Sequence, residues 1–343
     1  MSEDTKGVDQ AKVTAWFEAN IPGAQGPLDF ELIAGGHSNL TYAATDATGH
    51  RFVLRRPPLG HVLATAHDMS REHKIISALG PTDVPVAPAL GLCTDDTINA
   101  APFYVMDFVD GRVLRDAATA QAITPAARRN ASISIADTLA RIHAIDPDAV
   151  GLGDLGKKEG YIGRQLKRWY SQFQQSQTRE LPAVDAVHAA LSARIPEQGP
   201  PAIVHGDYRL DNCMTDVDGN VIAVLDWEIC TLGDPLADVG LLMVYWTEAS
   251  DAAPMLLTAP TTVEGFLSRK EVLDRYAEMS GRDLSQIDFY VAFGYWKLAC
   301  IVEGVYARYV GGAMGADASG FEGFAIQVER CAEAAADAVS RLG

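Results

Sequence analysis

Two short stretches carry the residues best suited to chemistry. The first, Ile203-Val-His-Gly-Asp207-Tyr-Arg-Leu-Asp-Asn212, follows an apolar lead-in with a carboxylate and, five residues on, a carboxamide. The second, Val221-Ile-Ala-Val-Leu-Asp226-Trp-Glu228, ends an apolar run in another carboxylate. A polar turn from Asp216 to Asn220, with Asp218-Gly219 at its centre, joins them. A hairpin brings its ends together, so Asn212 and Asp226 are expected to face one small volume. Magnesium takes oxygen ligands of this kind, usually one or two carboxylates plus phosphate oxygens and water. Asp207 can accept a hydrogen bond from an attacking hydroxyl and orient it. The set suits phosphoryl transfer, where catalysis is mostly positioning and neutralisation of phosphate charge. Asp211, Asp216 and Asp218 read as turn-shaping residues.

The elements around these stretches fall into two textures. A helix is expected over 8–20, capped by Asp9, with Val13, Trp16 and Phe17 on one face. Short strands follow at Phe30–Ile33, Leu40–Ala44 and Arg51–Arg55, then a helix over 69–79 and a strand from Phe103 to Val109. Beyond Gly111 the pattern is helical at Ala126–Ile145, Tyr161–Gln175, Val184–Ile195, Val263–Met279, Gln286–Tyr309 and Gly320–Arg341. One strand-rich island, Ala202–Trp227, interrupts it. Sheet first and helices after predicts an α+β arrangement of two lobes, not a doubly wound sheet. The expected division is an N-lobe over 1–109 and a C-lobe over 110–343 that carries the catalytic loop, metal site and acceptor pocket.

The Asp-x-x-x-x-Asn spacing of Asp207 and Asn212 equals that of the protein-kinase catalytic loop. His205-Gly-Asp-Tyr-Arg-Leu-Asp-Asn212 and Leu225-Asp-Trp-Glu228 resemble the signatures of the aminoglycoside phosphotransferase/choline kinase-like superfamily. The resemblance implies a protein-kinase-like two-lobe fold with ATP between the lobes, Asp207 as catalytic base, and Asn212 and Asp226 as Mg2+ ligands. Family members often carry His where Arg209 stands. A narrower resemblance covers nearly the whole chain. Gly35-Gly-His-Ser-Asn-Leu-Thr-Tyr42, Phe52-Val-Leu-Arg-Arg-Pro-Pro58, Arg71-Glu-His73 and Gly233-Asp-Pro-Leu-Ala-Asp238 are similar to the kinase domain associated with acyl-CoA dehydrogenases.

The amino-terminal part is expected to supply the nucleotide contacts. Gly36 lies in a flexible turn between strands, and Ser38 and Asn39 can donate to phosphate oxygens. On the strand after it, Val53 and Arg55 share one face; the resemblance puts Val53 over adenine and Arg55, in place of the usual Lys, on the phosphates. Glu72 precedes Ile75, Ile76 and Leu79 by three, four and seven positions, so it sits on the inward helix face. A lone carboxylate there is costly, and pairing with Arg55 removes the cost. By resemblance Met106 lies beside adenine, the backbones of Asp107 and Val109 bond to it, and Asp238 braces the catalytic loop. Glu228 could approach the metal.

Composition limits the alternatives. The chain has 343 residues and a formal net charge of −17, which disfavours nucleic acid and anionic membranes as partners. The stretch MSEDTKGVDQ lacks the basic start and apolar run expected of a secretory signal, and Val239–Trp246 is too short to span a bilayer. Five scattered cysteines without a CxxC pair read as reduced thiols of a cytoplasmic protein. His61, His67 and His73 do not have zinc spacing. Gly151-Leu-Gly-Asp-Leu-Gly156 matches GxGxxG, but no strand precedes it and no apolar helix opens from it, so it reads as a surface loop.

The acceptor is expected to be a hydroxylated small molecule. Arg164, Lys167, Arg168 and Trp169 form a basic helical patch with Tyr161 and Tyr170 nearby; it reads as a solvated helix face or as a seat for an anionic group. With the resemblance, which also raises a functional link to an acyl-CoA dehydrogenase, a hydroxyacyl-CoA or hydroxy acid leads. The alternatives are an aminoglycoside- or amino-alcohol-type phosphotransferase, or a nucleotide-binding pseudokinase.

Overall fold

A computed structural model describes residues 5–34, 39–59, 68–251, 259–311 and 322–342. The chain divides into two units, Met1–Gly111 with Ile222–Glu228, and Arg112–Val221 with Ile229–Gly343.

The first unit begins with helix α1 (Gln10–Asn20), which starts where the Asp9 carboxylate accepts the Lys12 N–H at 3.2 Å. Strands β1 (Asp29–Ala34), β2 (Leu40–Thr45) and β3 (Arg51–Arg56) follow, then α2 (Met69–Leu79), β4 (Ala89–Cys93), the short α3 (Asp96–Asn99) and β5 (Phe103–Asp107). The strands form one antiparallel sheet in the order β1-β2-β3-β5-β4. Alternation along β3 sorts its side chains. Phe52 and Leu54 join an aromatic core with Val13 and Phe17 of α1, while Val53 and Arg55 point the other way. Phe17 meets Phe30 and Phe52 edge to face, at 6.3 and 5.6 Å between ring centres. Each such buried ring contributes about 2–3 kcal/mol. Helix α2, capped by Asp68, buries Glu72 along with Ile75, Ile76 and Leu79. The distant segment Ile222–Glu228 joins this unit through the Val224 N–H, which donates to Pro85 O at 2.8 Å. Trp227 is buried there, its indole N–H on Val224 O at 3.0 Å.

The second unit contains β6 (Arg112–Val113), α4 (Ala117–Gln121), α5 (Pro125–Ala144), α6 (Tyr161–Ser176), α7 (Pro182–Ser192), β7 (Ala202–Val204) and β8 (Cys213–Thr215). After the turn to β9 (Val221–Val224), which belongs to the first unit from Ile222 on, come β10 (Thr231–Gly233), α8 (Leu236–Tyr245), α9 (Arg269–Ser280), α10 (Ile287–Val310) and α11 (Glu322–Ser340). The turn is built as expected: the Asp216 carboxylate accepts the N–H groups of Asp218 and Asn220 at 3.0 and 2.8 Å. Helix α10 runs through the core, where Phe289, Phe293 and Trp296 pack with Phe173, Val184 and Ala335. It approaches α8 closely at Gly240, where a Cβ would fall 2.4 Å from the backbone of Tyr290.

Several boundaries differ from expectation. The helix expected from Val263 starts at Arg269, because Gly265 adopts φ +110° and Ser268 forms a capping box with Glu271. The strand expected to reach Val109 stops at Asp107, whose carboxylate accepts the next N–H, that of Phe108, at 3.0 Å. Strands β4 and β10 and helices α3 and α4 were not anticipated; each has five residues or fewer, too few for a clear period. Gly151–Gly156 lies in turns between α5 and α6, as the loop reading requires. All five cysteines are buried, and none is joined in a disulfide. His61 and His67 lie outside the described residues. No described helix is long and apolar enough to cross a membrane.

Candidate active site

Each unit carries part of the residue set named from the sequence. In the first, the inward face of β3 and the buried face of α2 bring Arg55 and Glu72 together, Nε to Oε2 at 3.0 Å. Arg55 also reaches Asp226, Nη2 to Oδ1 at 2.5 Å, and lies 3.9 Å from Glu228. Asn39 is buried, and its Nδ2 donates to Glu72 Oε1 at 2.7 Å and Glu228 Oε2 at 3.3 Å. Its donor thus ties the acids together, rather than standing ready for phosphate as expected. Tyr104, on the same face of β5 as Met106, donates to Glu72 Oε2 at 3.1 Å. One guanidinium therefore faces the carboxylates of Glu72, Asp226 and Glu228. Burial raises the Glu72 pKa, against the pull of Arg55. Burial also works against the Arg55 charge, but the surrounding acids outweigh it and hold the guanidinium firmly protonated. Asp226 is one of two described non-glycine residues with positive φ, at +62°. Strain of this sort costs about 1–3 kcal/mol and gathers where function demands it.

The other nucleotide-side candidates fall on the same sheet. Val53 is buried and pairs across strands with Met106 and Ala43. The Asp107 N–H is engaged with Pro88 O at 2.9 Å, so only its carbonyl can serve the expected backbone readout. Half-buried Val109 follows beyond the strand end. Gly36 and Ser38 lie outside the described residues.

In the second unit, buried strand β7 delivers the chain into His205, Gly206 and Asp207. Asp238, in the first turn of α8, is 1% exposed and accepts both loop amides: His205 N–H at 2.7 Å and Gly206 N–H at 2.8 Å. Burial opposes its charge, but the hydrogen bond from His143 and the loop amide outweigh it and keep the carboxyl below its usual range. His143 Nε2 lies 3.4 Å from Asp238, with Nδ1 2.7 Å from the Tyr276 hydroxyl. Past the loop, Asn212 returns its Nδ2 to Asp207, at 2.8 Å from the carbonyl and 3.0 Å from Oδ2. Asp207 stays 27% exposed, enough to meet a substrate. Arg209 stands 3.5 Å from Asp207 and 3.3 Å from Asp211, with its guanidinium over the Tyr245 ring. Arg209, Asp211, Tyr245, Trp246 and Thr261 line a small pocket there.

These groups suit magnesium in kind. The Asn212 nitrogen is turned to Asp207, which leaves the carboxamide oxygen for a cation. The acid cluster of the first unit has more negative charge than Arg55 balances, so a divalent ion on Asp226 would relieve it. Among the described residues no three His, Cys, Asp or Glu side chains converge as a ready metal cage. An ion held by one or two protein oxygens and by phosphate does not need one.

Sequence reading missed Tyr104, His143 and Lys297, whose Nζ donates to Gly206 O at 2.8 Å. Alternation on β5 could have found Tyr104, and a lone charge inside an apolar helix could have flagged Lys297. In the basic patch, Arg164 donates to the backbone carbonyls of Lys157 and Glu159, and Arg168 lies over Trp169, 5.3 Å from its ring centre. Tyr161 is buried, which leaves Lys167 and Arg168 as the exposed charges of the patch.

The chain resembles known proteins over most of its length. Residues 29–279 match the phosphotransferase enzyme family, APH. Mouse acyl-CoA dehydrogenase family member 10 is 35% identical over 293 residues, which is 82% of this chain and 27% of that protein. Chicken acyl-CoA dehydrogenase family member 11 is 32% identical over 97% of this chain and 44% of its own length. The chain thus spans less than half of these curated relatives. A solved structure from Ralstonia eutropha JMP134, assigned as an aminoglycoside phosphotransferase, superposes with a TM-score of 0.83 at 32% identity, covering 97% of this chain and 98% of that one. Choline kinase from Cryptosporidium parvum shares the fold, with a TM-score of 0.63 at 12% identity over 96% and 98% of the two chains. With its α+β kinase-like fold and a family match across residues 29–279, this chain belongs to the APH phosphotransferase enzyme family.

Proposed function

We propose that the protein transfers the γ-phosphate of ATP to a hydroxyl of a small molecule, and that a hydroxyacyl-CoA or related hydroxy acid is the acceptor. The observation that carries the reading is Asp207, a partly exposed carboxylate on a loop whose backbone is gripped by buried Asp238 and whose oxygen is held by Asn212. Asp207 accepts the hydrogen bond of the attacking hydroxyl. As the new P–O bond forms and the bond to ADP breaks, the hydroxyl proton passes to this carboxylate. Arg55, steadied by Glu72, neutralises phosphate charge on the nucleotide side. Val53 and Met106 give adenine an apolar surface, the backbones of Asp107 and Val109 its polar contacts, and Gly36 and Ser38 belong to the phosphate turn, while Asn39, expected there too, holds Glu72 and Glu228 instead. Asn212 and Asp226 would hold Mg2+, which would screen phosphate charge when bound. A related fold, the aminoglycoside phosphotransferase APH(4)-Ia, has been solved with AMP-PNP and hygromycin B, which supports ATP as donor. The acyl-CoA dehydrogenase relatives support an acyl-CoA acceptor and a functional link to such an enzyme.

The test is ATP consumption with magnesium across hydroxyacyl-CoAs, free hydroxy acids, amino alcohols, sugars and aminoglycosides, with Asp207→Ala as control. A hit that disappears in the variant supports the reading. Turnover that survives Asp207→Ala rejects the assigned base. Magnesium-dependent ATP binding without transfer to any acceptor favours a pseudokinase.

A further inference from the structure

Lys297 is the single charged residue of α10 between Asp288 and Glu303. It is 6% exposed, deep enough that an ammonium loses most of its hydration. Among the described residues it pairs with no carboxylate. Its Nζ donates to the Gly206 carbonyl at 2.8 Å and lies 5.6 Å from the centre of the Trp169 ring. A lysine kept only for packing would be replaced by an apolar side chain at no loss, since its stem is all that packs.

The place it grips is unusual. Gly206 has φ +88°, and a Cβ there would sit 3.1 Å from the Ile229 side chain. Glycine has no side chain to anchor it, so the direction of this backbone depends on what holds its polar groups. Asp238 Oδ1 takes the Gly206 N–H at 2.8 Å, and Lys297 takes the carbonyl at the other end. That carbonyl belongs to the peptide that leads directly into Asp207.

We propose that Lys297 is a positioning residue: it locks the Gly206–Asp207 peptide and so sets the direction in which the Asp207 carboxylate is presented. The proposal rests on the reading of Asp207 as the base, and its first test is independent of any acceptor. Hydrogen exchange of Lys297→Met is compared with wild type. The expected result is exchange faster by about tenfold in peptides covering 203–212, with α10 unchanged. Unchanged protection of 203–212, or loss spread along 287–310, overturns the proposal.

The second measurement is turnover of ATP with a hydroxyacyl-CoA. Lys297→Met should lower kcat by about 100-fold, the scale set by a small misplacement of a catalytic group. KM for ATP should stay within about twofold, since nucleotide binding does not use the lock. A folded variant with wild-type kcat overturns the proposal. If Lys297→Met does not fold, Lys297→Gln takes its place; it is shorter and uncharged, and wild-type kcat and loop protection in that variant overturn the proposal. Asp207→Ala separates the two readings. Should Asp207→Ala keep turnover, the base assignment fails whatever Lys297 does; should it abolish turnover while both Lys297 variants behave as wild type, only the lock fails.

Discussion

The acid cluster of the first unit and the Asp207 loop of the second are built on opposite principles. Around Arg55, the carboxylates of Glu72, Asp226 and Glu228 exceed the positive charge, and Asp226 is held in a strained left-handed backbone. Around Asp207, backbone groups are satisfied at nearly every turn, by Asp238, Asn212 and Lys297. The first is an unbalanced charge set, suited to receiving a cation or exchanging partners. The second is a closed hydrogen-bond frame, suited to holding one carboxylate still. On the proposed function, the first suits the neutralisation of phosphate charge and the second the aiming of a hydroxyl.

Substitutions can break that contrast, and the largest effect belongs at the aimed carboxylate. Asp207→Ala should reduce kcat by about 1,000-fold, the scale of general-base catalysis, with the melting temperature unchanged. Next comes the frame itself. Asp238→Ala leaves the buried N–H groups of His205 and Gly206 without their acceptor, and should cost about 3 kcal/mol of unfolding free energy in urea titrations. A loss of activity without loss of stability would instead make Asp238 part of the charge set. In the cluster, Glu72→Gln keeps the shape and removes a charge, leaving Arg55 drawn to Asp226. ATP affinity should fall by about tenfold in a calorimetric titration, with little change in stability. Unchanged affinity would show that the cluster is structural, like the loop frame.

The smallest effect concerns pH. Burial pushes the His143 imidazole below its usual 6.5, although Asp238 opposes this. The folded chain therefore keeps His143 neutral while the unfolded chain takes up a proton as pH falls through 6.5. The unfolded state then binds more protons, so stability declines below that pH, down to the folded value. Urea midpoints measured from about pH 7.5 to about pH 5.5 should fall, and His143→Gln should flatten the slope.

How much of this was legible depends on how far apart the partners lie along the chain. Asp207 and Asn212 are five residues apart, and their hydrogen bond follows from the turn they share. The inward position of Glu72 followed from helical spacing, and the shared face of Val53 and Arg55 from strand alternation. Tyr104 meets Glu72 across 32 positions, Lys297 meets Gly206 across 91, and His143 meets Asp238 across 95. No local period records such pairs. The short strands β4 and β10 escaped for a related reason, since they exist through their pairing rather than their own pattern.

The sequence by itself determined the inventory: a carboxylate and a carboxamide on one loop, a second carboxylate after a turn, an arginine on a strand face and a glutamate on the buried side of a helix. These follow from residue type and from periods of two and 3.6, which act over a few residues. The pairing of Glu72 with Arg55 was also expected from the sequence; only the tertiary structure decided which other groups meet. It set Arg55 among its acids, gave Asp226 its strained backbone, and gripped Gly206 from α8 and α10. The physical reason is burial. A charge or peptide group removed from water must find a partner, and which partner it finds is fixed by how distant helices and strands pack.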